Sequence, residues 1–487
     1  MNIVSLISPF VTGILKADET FFENVSKFSV LEQTVSDLSN RLAADVLSSI
    51  LSDLDRMVRE SSARKSEYNV QRTDSRSLIS SVGDVRFQST LYRKRDTGEF
   101  MYLTERLLHL PKNEHFTTVA EAKVLSESTV HSYQHAADQL SIGNQKVSKV
   151  AVMNKVHAID AAMLHDEQPE AEEKRKCEYL YIEADEDHIH KQHCETEEVY
   201  GRKKNNCMIG KLIYLFEGKE DECDGRRRLV HPFYFGGLYP GKDNACLWSE
   251  VEKYIEDHYD LDVLKRVYIN SDGGAWIKAG KDYIDRSKLV ADRFHLMKYI
   301  NRVCRLTGDM ELINKGRFYK YIWKRNLVAI KKMLTRIERK YGSPEVVENV
   351  RLYFLNNWDA IKRTFHDHHV IGCSAEGHVS NILSDRMSSR PMGWSETGSD
   401  HMCKLRCYVR NYGRDDIIDL VKWRRETAFQ EQLRATGTDG FVEDVPHTYY
   451  TKRQLEAASY AERMQASLDG FPTVKKIVAI RNQIGNI

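Results

Sequence analysis

Two strand-like runs in the sequence each end on an aspartate. Residues 179–185 are apolar up to the acidic end at Asp185, and residues 267–270 lead into Ser-Asp272-Gly-Gly. A carboxylate at the end of a strand lies at the edge of its sheet, so two such strands can bring their acids together. Mg²⁺ prefers oxygen ligands, and two such ions support phosphodiester chemistry. With Glu376 as a third acid on a neighbouring helix, the sequence indicates a metal site. An alternative explains the spacing equally well: aspartates at strand ends often only form turns.

Four short blocks, in order along residues 75–410, give this spacing more weight. They read Tyr-Ile-Glu-Ala-Asp185-Glu-Asp-His, Tyr-Ile-Asn-Ser-Asp272-Gly-Gly-Ala-Trp, Asp292-Arg-Phe-His295 and Gly-Cys-Ser-Ala-Glu376-Gly-His. Together they resemble the bacterial insertion-sequence transposases of the ISLre-two family, which belong to the DDE class and are related to Mutator-like transposases. The resemblance is carried by the four blocks jointly, since any one of them alone is not specific.

We expect an α/β fold in which an α+β DNA-binding region with helix-turn-helix character precedes the catalytic domain. The resemblance implies that this domain is RNase H-like and carries an all-α insertion between the second and third acids. It implies that Asp185, Asp272 and Glu376 are both the catalytic residues and the ligands of two Mg²⁺ (or Mn²⁺) ions per active site. Asp292 and His295 fit the Asp/Cys-x-x-His signature of the insertion and are expected to support the site. Asp385, Glu183 and Asp187 are the alternative acids, because the strand and helix boundaries are uncertain by a few residues.

The function implied is that of a DNA transposase, which cleaves DNA at the element's ends and joins the freed 3′-hydroxyl to target DNA. We expect binding to terminal inverted repeats and to target DNA, assembly of at least a homodimer around two DNA ends, and a cytoplasmic, nucleoid-associated location. Two alternatives remain open: a catalytically silent, transposase-derived DNA-binding protein and an RNase H-like cellular nuclease or resolvase. Metal-dependent nicking would separate the first alternative from a transposase, and preference for an inverted-repeat end would separate the second.

Charge is strongly segregated along the chain, although the net charge is only +1. Residues 161–200 hold 4 Lys/Arg against 13 Asp/Glu, a net of −9, and residues 281–370 hold 20 against 10, a net of +10. This pattern predicts a polyanionic partner bound by the basic segment, while solvated helix faces are the simpler alternative. The basic residues expected to contact phosphates, in a strongly salt-dependent manner, are Lys324, Arg325, Lys331, Lys332, Arg336, Arg339 and Lys340. Beyond the third acid, the candidate DNA contacts are Arg386, Arg390 and Trp394, with core packing as the default for the tryptophan.

The remaining segments predict the elements that hold the site. The predicted order is an N-terminal helical region (1–62), a small β-meander (63–112), a helix-turn-helix-like DNA-binding region (113–165), the first part of the catalytic domain (166–280), an all-α basic insertion (281–370), the last part of the catalytic domain (371–440) and a C-terminal tail (441–487). In the helix-turn-helix-like region, helices at 116–141 and 148–163 flank a turn with Gly143. The residues expected to face a DNA groove there are Lys149, Asn154 and Lys155.

Composition excludes several classes of protein. With 41% hydrophobic and 29% charged residues the chain is globular, and it has no run of about 18 apolar residues that would span a membrane. Its 9 cysteines include no C-x-x-C pair, which predicts a reducing compartment without disulfides. A histidine- and cysteine-rich patch matches no zinc-finger spacing and is interpreted as surface or sheet packing; it comprises His188, His190, His193, Cys194, Cys207 and Cys223. Packing is likewise the better explanation for Cys403 and Cys407.

Overall fold

The computed structural model describes residues 3–159, 173–192, 206–223, 226–390 and 392–436. The chain is a mixed α/β protein that divides into two compact units. The first unit comprises Met1–Val152 with Ile417–Ile487, and the second comprises Met153–Asp416. Among the described residues, no helix is both long enough and apolar enough to cross a membrane. The predicted C-terminal tail lies outside the described residues.

The first unit combines helices with a three-stranded antiparallel sheet of order β1-β2-β3. Its elements are α1 (Ile3–Glu23), α2 (Phe28–Glu60), α3 (Ser62–Glu67), β1 (Tyr68–Ser80), β2 (Gly83–Lys94), β3 (Phe100–Tyr102), α4 (Leu103–Leu107), α5 (Thr118–Ser128), α6 (Tyr133–Asp138), α7 (Lys149–His157, whose last residues fall in the second unit) and α17 (Ile417–Thr436). The sheet is the meander that the two-residue periodicity predicts, but β1 begins at Tyr68, ten residues before the alternation becomes evident at Leu78. The earlier part of β1 is largely polar and exposed, so it carries no apolar signal.

The segment predicted as one helix over 116–141 is two helices, α5 and α6. The break lies at Thr129–Ser132, where the Thr129 hydroxyl donates to the Ser126 carbonyl and the Ser132 hydroxyl accepts from the His135 amide at the start of α6. These short polar side chains offer the backbone partners other than the helical ones, which ends one helix and begins the next. The following turn forms as predicted: Gly143 has a positive φ of 58°, and the Ser148 hydroxyl accepts from the Ala151 amide at the start of α7.

The second unit is built on a five-stranded mixed sheet of order β10-β9-β4-β5-β8. Strands β4, β9 and β10 are parallel, and β5 and β8 are antiparallel to their neighbours. The strands are β4 (Tyr179–His190), β5 (Cys207–Phe216), β6 (Gly218–Cys223), β7 (Arg226–Val230), β8 (Phe233–Gly237), β9 (Arg266–Ser271) and β10 (Ser287–Ala291), with β6 and β7 forming a separate hairpin. The helices are α8 (Asn244–His258), α9 (Ala275–Lys278), α10 (Arg293–Cys304), α11 (Glu311–Trp323), α12 (Leu327–Tyr341), α13 (Pro344–His366), α14 (Ala375–Val379), α15 (Asp385–Met387) and α16 (Glu396–Tyr412).

The two faces of β4 have different surroundings, because alternate side chains point to opposite sides of a strand. Ile182 and Ala184 belong to a hydrophobic core with Trp248 of α8. Glu183, on the opposite face, is fully buried among polar groups. The central strand therefore closes a core on one side and presents acids on the other.

The basic insertion is all helical only after Asp292. Residues 287–291, predicted as helix, form strand β10, which pairs in parallel with β9. From Arg293 onwards, α10 to α13 enclose a core of their own that includes Ile300, Leu334 and Phe354. Helix α13 returns the chain to the sheet edge, where the Thr364 hydroxyl bonds to both the amide (3.0 Å) and the carbonyl (2.9 Å) of Ala291.

Helix α16 packs closely against β8 through glycine. A Cβ atom on Gly236 would lie 2.8 Å from the Cys407 sulfur, so this close approach needs a residue without a side chain. Cys403 and Cys407 are both buried, which confirms that they pack into the core. The run predicted as one strand over 229–235 is instead two strands, β7 and β8, which are separated at His231 (φ 45°) and Pro232.

Candidate active site

Three acids occupy equivalent positions on the three parallel strands. The last residue pair between β4 and β9 is Glu183 with Asn270, and Asp185 and Asp272 each lie two residues further along. Asp292 directly follows the last pair of β10 with β9. Because parallel strands share one carboxyl edge, this register carries the three acids to the same edge of the sheet. The prediction that β4 ends at Asp185 is wrong, since β4 continues to His190 against β5; what ends near Asp185 is its pairing with β9.

The turn after β9 depends on two glycines. Gly273 has a φ of 108°, which favours glycine, and a Cβ atom there would lie 3.2 Å from the Asn357 side chain. The Gly274 amide donates to Oδ1 of Asp272 at 2.7 Å. This bond fixes the carboxylate of Asp272 at the edge of the sheet through Oδ1.

Glu376 lies in the first turn of α14 and is exposed. The residue before α14, Ser374, donates from its amide (2.7 Å) and its hydroxyl (3.1 Å) to the buried carboxylate of Glu183. Beyond the other end of the helical segment, the Ser388 hydroxyl donates to both oxygens of Asp187, at 3.0 and 2.8 Å. Glu183 and Asp187 are therefore engaged in positioning this segment, which makes them weaker metal-ligand candidates than Asp185.

The electrostatics link Asp185 to the two other predicted ligands. Burial raises the pKa of Asp185 to about 6, and the charges of Asp272 and Glu376 raise it as well. A hydrogen bond from the Glu186 amide and the charge of His295 act in the opposite direction. The structure thus places Asp272 and Glu376 within electrostatic reach of Asp185. Asp385, the alternative third acid, instead interacts with Arg406: its charge raises the pKa of that guanidinium, against the lowering effect of burial.

Asp292 and His295 form a pair at the start of α10. Oδ1 of Asp292 accepts from the Phe294 amide at 2.9 Å, and Oδ2 lies 2.7 Å from Nδ1 of His295. Although burial opposes the change, the hydrogen bonds from His295 and Phe294 lower the pKa of Asp292. The bond to Asp292 raises the pKa of His295 despite its burial, and the charges of Asp272 and Asp185 add to the increase. With both of its oxygens engaged, Asp292 caps α10 and holds the His295 ring through Nδ1.

A divalent cation fits this arrangement of residues. All three acids offer hard oxygen donors, the set that Mg²⁺ and Mn²⁺ prefer. The raised pKa of Asp185 also indicates a carboxylate that the protein alone compensates poorly. Asp185, Asp272 and Glu376 would hold the ions.

Two of the predicted DNA contacts are buried instead. Arg386 is 5% exposed and Trp394 is 6% exposed, and the guanidinium lies 4.7 Å from the indole ring centroid. The indole nitrogen donates to the Met387 carbonyl at 3.1 Å. Neither side chain presents a surface to DNA, so this part of the prediction is wrong and the default of core packing holds for Trp394. Arg390 is exposed.

The predicted phosphate contacts of the insertion are all exposed. Lys324 and Arg325 lie in the turn between α11 and α12. The others lie on α12, whose buried side is formed by Ile330, Met333, Leu334 and Ile337. Those exposed α12 residues are Lys331, Lys332, Arg336, Arg339 and Lys340. On α7, Lys149 and Asn154 are exposed and Lys155 is half-buried.

The histidine- and cysteine-rich patch is only partly described. His188 and His190 are exposed on one face of β4, and the Cys207 sulfur lies 3.4 Å from Nδ1 of His190. His193 and Cys194 lie outside the described residues. The role of Glu183, in contrast, was missed from the sequence; the only available signal was its position on the same strand face as Asp185, two residues earlier.

The chain belongs to the uncharacterised protein family UPF0236, whose family model matches residues 21–424. A UPF0236 protein of Caldanaerobacter subterraneus subsp. tengcongensis is 30% identical over 420 residues, covering 86% of this chain and 84% of the relative, and its name joins eleven locus designations. A UPF0236 protein in the vanSb 3′ region of Streptococcus gallolyticus is 25% identical over 396 residues, covering 79% of this chain and 83% of the relative. Among solved structures, the Drosophila P element transposase strand transfer complex matches 77% of this chain and 92% of that chain at 8% identity and a TM-score of 0.22, a similarity too weak to carry an argument.

Proposed function

We propose that this chain is a metal-dependent DNA transposase of a bacterial insertion sequence, with an RNase H-like catalytic domain. The observation that carries the proposal is the register that takes Asp185 and Asp272 to one carboxyl edge of a mixed sheet, with the charge of Glu376 acting on Asp185. A sheet of three antiparallel strands extended by two parallel ones supports the RNase H-like assignment. The all-α segment between the second and third acids supports it further.

The acids have separate tasks in this proposal. Asp185 and Asp272, on adjacent strands, and Glu376, on α14, would hold the metal ions. When bound, divalent ions activate the attacking oxygen and stabilise the leaving oxygen of a phosphoryl transfer. His295, held at Nδ1 by Asp292, is protonated more readily than an isolated histidine, and its Nε2–H is available to a phosphate oxygen.

The reaction consists of two phosphoryl transfers without a covalent protein intermediate. In the first, water attacks a phosphodiester at the element's end and releases a 3′-hydroxyl and a 5′-phosphate. In the second, that 3′-hydroxyl attacks a phosphodiester of target DNA, forming one new bond and releasing a target 3′-hydroxyl. Because two DNA ends must be joined to one target, we expect at least a dimer to act.

The basic face of α12 provides the sequence-independent part of DNA binding. Its exposed lysines and arginines can neutralise phosphates while the opposite side of the helix stays in the insertion's core. Recognition of terminal inverted repeats is assigned to the helices α5 to α7. The name of one relative, which joins eleven locus designations, agrees with a DNA segment that copies itself within a genome.

The test is strand cleavage and joining on a labelled duplex that carries the DNA flanking this gene. Wild type is compared with Asp185→Asn, Asp272→Asn and Glu376→Gln in Mg²⁺ or Mn²⁺, and a gel shift measures DNA binding in parallel. We expect every variant to bind DNA and none to cut or join it. A wild type that binds but never cuts would identify a silent DNA-binding protein, and cutting without preference for the element's end would identify a nuclease. An active Glu376→Gln variant would remove Glu376 from the site.

A further inference from the structure

Three potential metal ligands meet at the junction of α5 and α6. They are Glu127 in the last turn of α5, His131 in the connecting turn and His135 in the first turn of α6. One ligand atom from each residue lies within 4.8 Å of the others. Nε2 of His131 is 3.9 Å from a carboxylate oxygen of Glu127, and the two imidazole centroids are 4.3 Å apart.

We propose that Glu127, His131 and His135 bind one transition-metal ion of the zinc class. This proposal is independent of the DNA chemistry proposed above, because it concerns other residues and another class of metal. Two imidazole nitrogens and one carboxylate oxygen are a donor set that favours Zn²⁺, Co²⁺ or Ni²⁺ over Mg²⁺.

The geometry needs only a small adjustment of side chains. Metal–ligand distances of about 2.0–2.2 Å with tetrahedral angles place ligand atoms about 3.3 Å apart. The present separations, 3.9 Å between His131 and Glu127 and at most 4.8 Å within the group, therefore have to close by roughly 0.6–1.5 Å. Since the side chain of His131 is 43% exposed and that of Glu127 is 26% exposed, rotations about their side-chain bonds can supply this closure without moving the core.

The backbone already holds the three residues in place. The His131 amide donates to the Glu127 carbonyl at 2.8 Å, a bond of the helical i to i−4 type that lies beyond the end of α5. The Ser132 hydroxyl caps α6 by accepting from the His135 amide at 3.2 Å. Beneath the turn, Val124 of α5 and Ala136 of α6 share one buried core. The ligands therefore project from a fixed junction.

Three protein ligands leave a fourth coordination position for water. The ion would link the end of α5 to the start of α6 across the Thr129–Ser132 turn, where short polar side chains end one helix and begin the next. The structure thus assigns to this region a metal ion that connects α5 and α6 at their junction.

The experiment measures metal binding by the full-length chain. Protein stripped of metal is dialysed against buffered Zn²⁺, and bound zinc per chain is determined by elemental analysis. Wild type is compared with a His131→Ala/His135→Ala variant and with a matched His188→Ala/His190→Ala variant, which removes two exposed histidines elsewhere. We expect the first variant to bind one zinc ion fewer per chain than wild type, and the matched variant to retain that ion.

Two further measurements make the test decisive. Co²⁺ substitution should give the visible spectrum of a tetrahedral ion in wild type, and this spectrum should be lost only in the His131→Ala/His135→Ala variant. Glu127→Gln, which keeps the shape of the side chain, should weaken zinc binding by about tenfold or more. Equal zinc content in wild type and the His131→Ala/His135→Ala variant would overturn the proposal. Loss of the same ion in the matched variant would also overturn it. Because no DNA is present, failure here would leave the transposase proposal untouched.

Discussion

Replacing Asp185 with asparagine should stabilise the metal-free protein at pH 8. Burial and the neighbouring acids raise the pKa of Asp185 from its usual 3.8 to about 6. A difference of about two pKa units corresponds to roughly 3 kcal/mol of unfavourable free energy when the carboxylate is charged in the folded state. Asparagine removes the charge and keeps the Oδ1 atom that accepts from the Glu186 amide. We therefore expect a gain of up to about 3 kcal/mol in the free energy of unfolding.

The gain should depend on pH with a definite sign. Since the folded-state pKa of this acid is raised, the wild type loses stability as the pH rises from 3.8 through about 6, and the loss is complete at pH 8. At pH 5 about half of the penalty remains, roughly 1.6 kcal/mol. The advantage of Asp185→Asn should therefore fall by about half between pH 8 and pH 5. Excess Mg²⁺ should stabilise the wild type, because its carboxylate then has a cation partner, and should stabilise the variant much less.

The assay is urea unfolding in EDTA at both pH values, repeated with Mg²⁺. Asp187→Asn is the matched control, because it lies two residues along the same strand face and asparagine can still accept from the Ser388 hydroxyl. The control should show no gain at pH 8. The reasoning is refuted if Asp185→Asn is less stable than wild type at pH 8 without metal, or if its advantage is the same at pH 5.

Four other changes test other parts of the structure. Glu183→Gln should cost about 1–3 kcal/mol in urea unfolding and slow DNA cleavage, because the uncharged amide loses the buried ion pair in which the Lys219 ammonium lies 3.5 Å from Oε1. Asp292→Asn keeps the helix cap but loses the charged pair with His295; thermal unfolding should show a cost of about 1.5–3 kcal/mol at pH 6 that shrinks as the pH rises and the histidine loses its proton. Trp394→Ala should destabilise the fold by about 3–5 kcal/mol, whereas a DNA-contacting tryptophan would leave the unfolding free energy nearly unchanged. Binding anisotropy over a salt series should show the slope of log K against log salt falling by about 2.7 when glutamine replaces Lys331, Lys332 and Arg336.

The sequence predicts best where one local pattern decides the structure. Asp185 and Asp272 could be paired in advance, because each lies at the end of a strand-like run and the resemblance of the four sequence blocks implies that both are catalytic acids. Strand β10 could not, since five residues are too few for a clear alternation. Its Leu289 also lies at helical spacing with apolar residues of α10, so the sequence pattern assigns residues 287–291 to the predicted helix. Only pairing with β9 makes this segment a strand.

Exposure depends on contacts that are distant in sequence. Arg386 and Trp394 have the residue types of a DNA contact, and nothing in their neighbourhood reveals that they stack on each other inside the fold. Glu183 is similar: its Oε2 accepts from Tyr214 and from Ser374, which lies 191 residues away, and the ammonium of Lys219 lies 3.5 Å from its Oε1. No local pattern encodes such partners.

The acidic face of β4 divides its three carboxylates between structure and chemistry. Glu183 binds Ser374 just before α14, and Asp187 binds Ser388 just after α15. The helical segment that carries Glu376 is thus attached to one strand at both of its ends. Asp185 lies between these two attachments on the same face, and the structure engages its Oδ1 with the adjacent Glu186 amide. Glu183 and Asp187 set the position of the segment that carries Glu376. Since both lie on the same face of β4 as Asp185, the alternation of side chains along this one strand also sets the position of Glu376 relative to Asp185.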